Sequence, residues 1–127
     1  MEDFFKNLET NFNKKTAKLG NVHGCVAWGG YVDKSGYGVQ NVNWPTEGMK
    51  KERAHRLAYM IKHKISRNDM LVRDENSNRI ECSHLCHNRL CVNPEHIVLE
   101  PHATNLERIH CKGQGICARC HEPYCLL

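Results

Sequence analysis

Phe4, Phe5, Leu8 and Phe12 recur at helical spacing near the start of the chain. The pattern predicts an amphipathic helix over residues 3–19, stopped by Gly20 and carrying Lys14, Lys15 and Lys18 in its last turns, where the helix dipole favours cations. From residue 22 to residue 44 the helical period gives way to strand-like segments. Cys25-Val-Ala-Trp28-Gly-Gly-Tyr31 and Tyr37-Gly-Val-Gln-Asn-Val-Asn-Trp44 read as antiparallel strands joined at an Asp33-Lys-Ser-Gly36 turn. Pro45 to Gly48 breaks that pattern. Ala54, Leu57, Ala58 and Ile61 then form an i, i+3, i+4, i+7 stripe, which predicts a helix over residues 50–62. A polar stretch follows from Ser66 to Asn78. Arg79 to His84 and His96 to Leu99 read as two short strands, and Thr104 with Glu107 fits a capping box, so a helix should begin there with Asn105 in its first turn. The expected fold is α+β, a small antiparallel sheet with flanking helices. The expected division is an N-terminal amphipathic helix over residues 1–20 and one domain over residues 21–127.

Composition changes this picture in one respect. At 127 residues and 40% apolar content the chain can build only a thin core, and such domains usually need staples. Eight cysteines are available, either as disulfides or as metal ligands. The polar N-terminus lacks the apolar run of a secretory signal, which predicts an intracellular protein, in nucleus or cytoplasm, with metal-bound thiols. No apolar run approaches the roughly 18 residues that span a bilayer. The net charge of +4 tolerates a polyanion without demanding one.

The candidate chemistry concentrates between Cys82 and His96. Cys86, Cys91 and His96 follow each other at C-x4-C-x4-H spacing, short enough to wrap one ion, with His84 two residues before the first of them. Zinc takes four nitrogen or sulfur ligands in a tetrahedron. The fourth could be nearby Cys82 or distant Cys25. Closing the longer loop costs about 2 kcal/mol more, small beside the roughly 10–16 kcal/mol of structural zinc, so both stay open. A second cluster, Cys111, Cys117, Cys120, His121 and Cys125, offers five donors for four positions. On the predicted ribbon, Gln40, Asn41 and Asn43 are of the type that reads base edges, and Lys51, Arg53 and Arg56 could meet phosphates.

Ser83-His-Leu-Cys-His-Asn-x-x-Cys-x-Asn-Pro-x-His96, followed by Asn105 and the terminal cysteine cluster, resembles the His-Me finger (ββα-metal) endonucleases. The closest branch is the His-Cys box homing endonucleases with two zinc-binding loops. Cys25-x-x-Trp28, Gly36-Tyr-Gly38 and Ala54-His-Arg-x-Ala-Tyr59 are similar to related HNH-type domains. The resemblance implies a ββα-metal active site stapled by two structural zinc ions. It assigns Cys25, Cys86, Cys91 and His96 to the first, and Cys111, Cys117, His121 and Cys125 to the second. It further implies a DNA endonuclease acting on double-stranded DNA, in which His84 activates water and Asn105 holds a catalytic magnesium ion. A catalytically inactive zinc-dependent nucleic-acid-binding module is the alternative. The homing enzymes dimerise partly through a C-terminal tail, and this sequence ends two residues after Cys125. A homodimer cutting both strands loses that support, which the N-terminal helix could supply instead; the alternative is a monomer that nicks.

Overall fold

The computed structural model describes residues 2–18, 24–114, 123, 125 and 126. It is an α+β fold of three helices and three two-stranded antiparallel sheets. Helix α1 (Glu2–Asn13) ends earlier than its apolar spacing suggested, because Phe12 is drawn into the core and the chain turns at Lys14 and Lys15. Strand β1 (Thr16–Lys18) follows and pairs with β2 (Val26–Trp28). The ring of Phe12 packs 5.0 Å from that of Trp28, and Phe4 lies 5.4 Å from Trp44, so this helix covers the two tryptophans.

The second ribbon differs from expectation. Strand β3 (Val39–Trp44) pairs with β4 (Gly48–Arg53) across Pro45 to Glu47, and only an isolated Val32–Gly38 bridge spans the Asp33 turn. Residues 50–53, expected to be helical, are strand. Tertiary contacts decide this: Glu52 is buried and accepts hydrogen bonds from Trp44 Nε1 at 3.0 Å and Arg67 Nη1 at 2.6 Å. A buried carboxylate satisfied by two donors outweighs the weak helical preference of a Lys-rich segment. Gly48, with φ of +77°, makes the turn into β4.

Helix α2 (Ala54–His63) buries Ala54, His55, Leu57, Ala58, Met60 and Ile61 and ends at Lys64 in the left-handed conformation. Its apolar face and the rings of Phe5, Phe12, Trp28 and Trp44 form the core, with Val42, Met70, Val92 and Ile97. Strand β5 (Ile80–His84) pairs with β6 (Ile97–Pro101) in the register His84 to Ile97. Helix α3 (His102–Gln114) follows directly, beginning two residues before the expected cap at Thr104. Its start is fixed by the chain, since His102 N–H donates to Arg79 C=O at 2.9 Å. Arg108 anchors α3 to β6 by two hydrogen bonds to Glu100, at 2.6 and 2.8 Å, both side chains being buried. None of the described helices is long and apolar enough to cross a membrane.

Candidate metal centre and adjoining cleft

The loop between β5 and β6 is stitched to β2 rather than left to stand alone. Val92 N–H donates to Val26 C=O at 2.7 Å, Trp28 N–H to Leu90 C=O at 2.9 Å, and Asn93 Nδ2 to Gly24 C=O at 2.8 Å. Asn93 also caps the short turn Pro94–His96 by accepting from Glu95 N–H. These bonds carry Cys25 to the mouth of the loop. The ligating atoms of Cys25, Cys86, Cys91 and His96 lie within 4.8 Å of one another. His96 Nδ1 is 3.6 Å from Cys25 Sγ and 3.5 Å from Cys91 Sγ. Zinc bonds of about 2.3 Å to sulfur and about 2.0 Å to nitrogen, set at a tetrahedral angle, give an S–N edge of about 3.5 Å. The donor set, the burial and these edges all fit one zinc ion. Of Cys86 and Cys91, Cys91 is the readier to ionise, because its sulfur accepts from Cys86 Sγ–H, and the same bond pushes Cys86 up.

Cys82 stands apart from this quartet, on β5 beside the core, and burial pushes its thiol up to about 12, partly opposed by Arg56. A protonated thiol of that kind packs as a small hydrophobe. Of the second expected quartet, Cys111 and Cys125 are buried, and Arg108 Nη1 donates to Cys125 Sγ at 3.4 Å. Cys117, Cys120 and His121 lie outside the described residues.

His84 ends β5 beside the quartet. Its Nε2 lies 2.9 Å from Cys91 C=O. A carbonyl only accepts, so Nε2 carries the proton and Nδ1 keeps its lone pair. Burial pushes the His84 pKa down, against the raising effect of that carbonyl, and the net shift is downward. The ring packs 4.4 Å from the ring of His55, which in turn stacks 5.3 Å from Tyr37. Tyr37 carries Arg53 over its face at 4.2 Å and Arg89 at 5.3 Å. His55 is held neutral, its pKa pushed down to about 3 by burial and by the charges of His84, Arg53 and Arg56.

A cleft of about 340 Å³ opens beside this stack. Tyr37, Arg53, His55, Arg56, Cys82 and Asn105 line it, together with Glu81, Arg79, Ile80 and Val72. Thus Asn105, Arg53 and Arg56 share one cleft, and His84 adjoins it through His55. Asn105 Nδ2 donates to Glu81 Oε1 at 3.0 Å. Burial pushes the Glu81 carboxyl up, but hydrogen bonds from Asn105, His102 and Arg79 outweigh it and leave its pKa below the usual value. The amide oxygen of Asn105 is a neutral donor of the kind that suits a magnesium ion sharing its other positions with water and phosphate.

The ribbon separates the remaining candidates. Asn41, Asn43 and Lys51 are exposed on one face, with Asn41 opposite Lys51. Gln40 alternates to the face of Val42 and Trp44, where its Oε1 accepts from Lys15 Nζ at 2.7 Å. Gln40 therefore lies on the opposite face of the ribbon from Asn41 and Asn43. Glu81 and His102 have no role in the sequence reading, and His55 enters it only within the stretch of residues 54–59; no local spacing marks a lone Glu or His whose partners come from other elements.

A search among curated proteins returned no match to the chain. A family model described as the zinc-binding loop region of homing endonuclease matches residues 28–126. That span takes in β2 at Trp28, the metal loop, the cleft and α3, and the chain belongs to this family.

Proposed function

We propose that the protein is a divalent-metal-dependent DNA endonuclease in which His84 is the general base. The observation that carries the reading is the fixed tautomer of His84, whose Nε2–H is tied to Cys91 C=O and whose Nδ1 is left as the acceptor. A histidine kept neutral by burial can take a proton from water near neutral pH. In the proposed step a water proton passes to His84 Nδ1, the water oxygen bonds to phosphorus and the P–O3′ bond breaks. The 3′ oxygen is then protonated from solvent. Asn105 would hold the magnesium ion through its amide oxygen, and the ion would supply Lewis-acid stabilisation of the phosphate and the leaving oxygen. Arg53 and Arg56 would neutralise phosphates along the cleft, while Asn41, Asn43 and Lys51 would face the DNA groove. The structural zinc ion is assigned to Cys25, Cys86, Cys91 and His96, with a second at Cys111, Cys117, His121 and Cys125.

The burial of His84 against His55 favours a second reading, a zinc-dependent nucleic-acid-binding module without catalysis. Plasmid nicking with added magnesium separates the two. Wild type is expected to nick or linearise supercoiled DNA, and His84→Ala to lose that activity with zinc content and fold retained. Equal cleavage by both proteins would refute the role of His84. DNA binding without any cleavage by the wild type would favour the second reading.

A further inference from the structure

Glu81 is the one acidic side chain lining the cleft among the described residues, and the reaction proposed above gives it nothing to do. Its carboxylate is nonetheless heavily engaged. Oε1 accepts from Asn105 Nδ2 at 3.0 Å and lies 2.7 Å from His102 Nδ1, while Oε2 accepts from Arg79 Nη2 at 2.7 Å. The donors converge from Arg79, just before β5, and from the first turn of α3.

Two consequences follow from the chemistry of the groups. An ionised carboxylate only accepts, so the Asn105 atom facing it is the NH2 and the amide oxygen is turned away. A terminal amide torsion is broad and roughly two-fold, so without such an anchor oxygen and nitrogen exchange places freely at the cleft. An NH2 group facing a cation repels it. Protein donors already occupy three of the carboxylate's roughly four lone-pair positions, which suits Glu81 to hold a ligand rather than to be one. We infer that Glu81 is a positioning residue that grips Asn105 by Nδ2 and keeps its Oδ1 presented to the cleft as the cation ligand. The inference rests on the reading of Asn105 as a metal-binding residue.

The test uses the zinc-loaded full chain labelled with nitrogen-15, with the Asn105 side-chain amide identified by its loss in Asn105→Ala. In the metal-free cleft of the wild type, this amide should be shifted away from the exposed position and protected from exchange. Added Mn2+ should broaden it ahead of the other Asn and Gln amides. Glu81→Ala should return it to the exposed position and raise the Mn2+ concentration for half-broadening about tenfold or more, as loss of a partner behind a metal ligand typically does. Glu81→Gln, which keeps an acceptor oxygen, should restore most of both signals. In the Asn105→Ala background, Glu81→Ala should cause no further loss of plasmid nicking. Should Glu81→Ala not fold, Glu81→Met keeps the length without an oxygen and carries the same comparison. An amide position and Mn2+ broadening unchanged by Glu81→Ala, with wild-type nicking intact, overturns this inference alone. Absence of both nicking and Mn2+ broadening at Asn105 in the wild type overturns the metal reading and this inference with it.

Discussion

Replacing His55 by Gln should flatten the acid side of the stability curve. His55 is 5% exposed, and its Nδ1 has no hydrogen-bond partner among the described residues. Its other ring nitrogen is within hydrogen-bond reach of the Cys82 backbone, and a Gln side chain can keep a donor there. Burial comes first, then the charges of His84, Arg53 and Arg56, in pushing its pKa from the ordinary 6.5 to about 3. Between those values the unfolded chain binds a proton that the folded chain refuses. Stability is therefore full above the unfolded value and falls as pH drops through and below it. Each unit of pH fully inside that window is worth about 1.4 kcal/mol, so acidification from about pH 7 to about pH 5 should cost the wild type about 2 kcal/mol through this residue alone. Urea denaturation of zinc-loaded wild type and His55→Gln across that interval measures it. The thiolates and the other groups not in contact with His55 are common to both proteins and cancel in the difference. The variant should lose about 2 kcal/mol less than the wild type over the same interval. Parallel curves would refute the claim that His55 folds as a neutral, desolvated ring.

Two further outcomes test the scaffold. Cys25→Ser should abolish tight zinc binding and folding, because it removes one of four clustered donors, whereas Cys82→Ser should bind zinc normally and melt only slightly earlier. Zinc content and thermal unfolding check both, and the opposite ranking would exchange their roles. Gly38→Ala should destabilise by about 1–3 kcal/mol or more, since a Cβ there would stand 2.2 Å from Trp28 Cδ1. Denaturation followed by Trp28 fluorescence would read this, and a neutral effect would mean that the indole can shift despite its 4% exposure and its hydrogen bond to Tyr31 C=O.

What the sequence made legible was what is local. His84, Cys86, Cys91 and His96 sit within thirteen residues, and their spacing alone suggests a wrapped ion. The strands β5 and β6 and the helix after them were also readable, because hydrophobic alternation and the Asn-Pro turn bound them. Cys25 could be assigned only through the family resemblance, since chain entropy did not distinguish it from Cys82. It reaches the loop through backbone bonds of Val26 and Trp28 that carry no side-chain signature. Residues 50–53 were misread because Lys50, Lys51 and Arg53 fit a helix surface as well as an exposed strand, and the buried partners of Glu52 decided the matter. Glu81 and His55 escaped for a related reason. Each draws its meaning from groups that the chain brings together only on folding.

Cys91 binds scaffold and chemistry into a single heritable unit. Its sulfur belongs to the quartet, its carbonyl holds the His84 ring, and its backbone bridges to Ala27. A lineage that loses His84 keeps the other two attachments and retains a folded zinc protein. A lineage that loses the zinc ligands frees the carbonyl as well, and the orientation of the proposed base goes with it. On the proposed function, decay of such a gene should therefore run in one direction, from nuclease to silent zinc fold to no fold, and not through an unstapled protein that still cuts DNA.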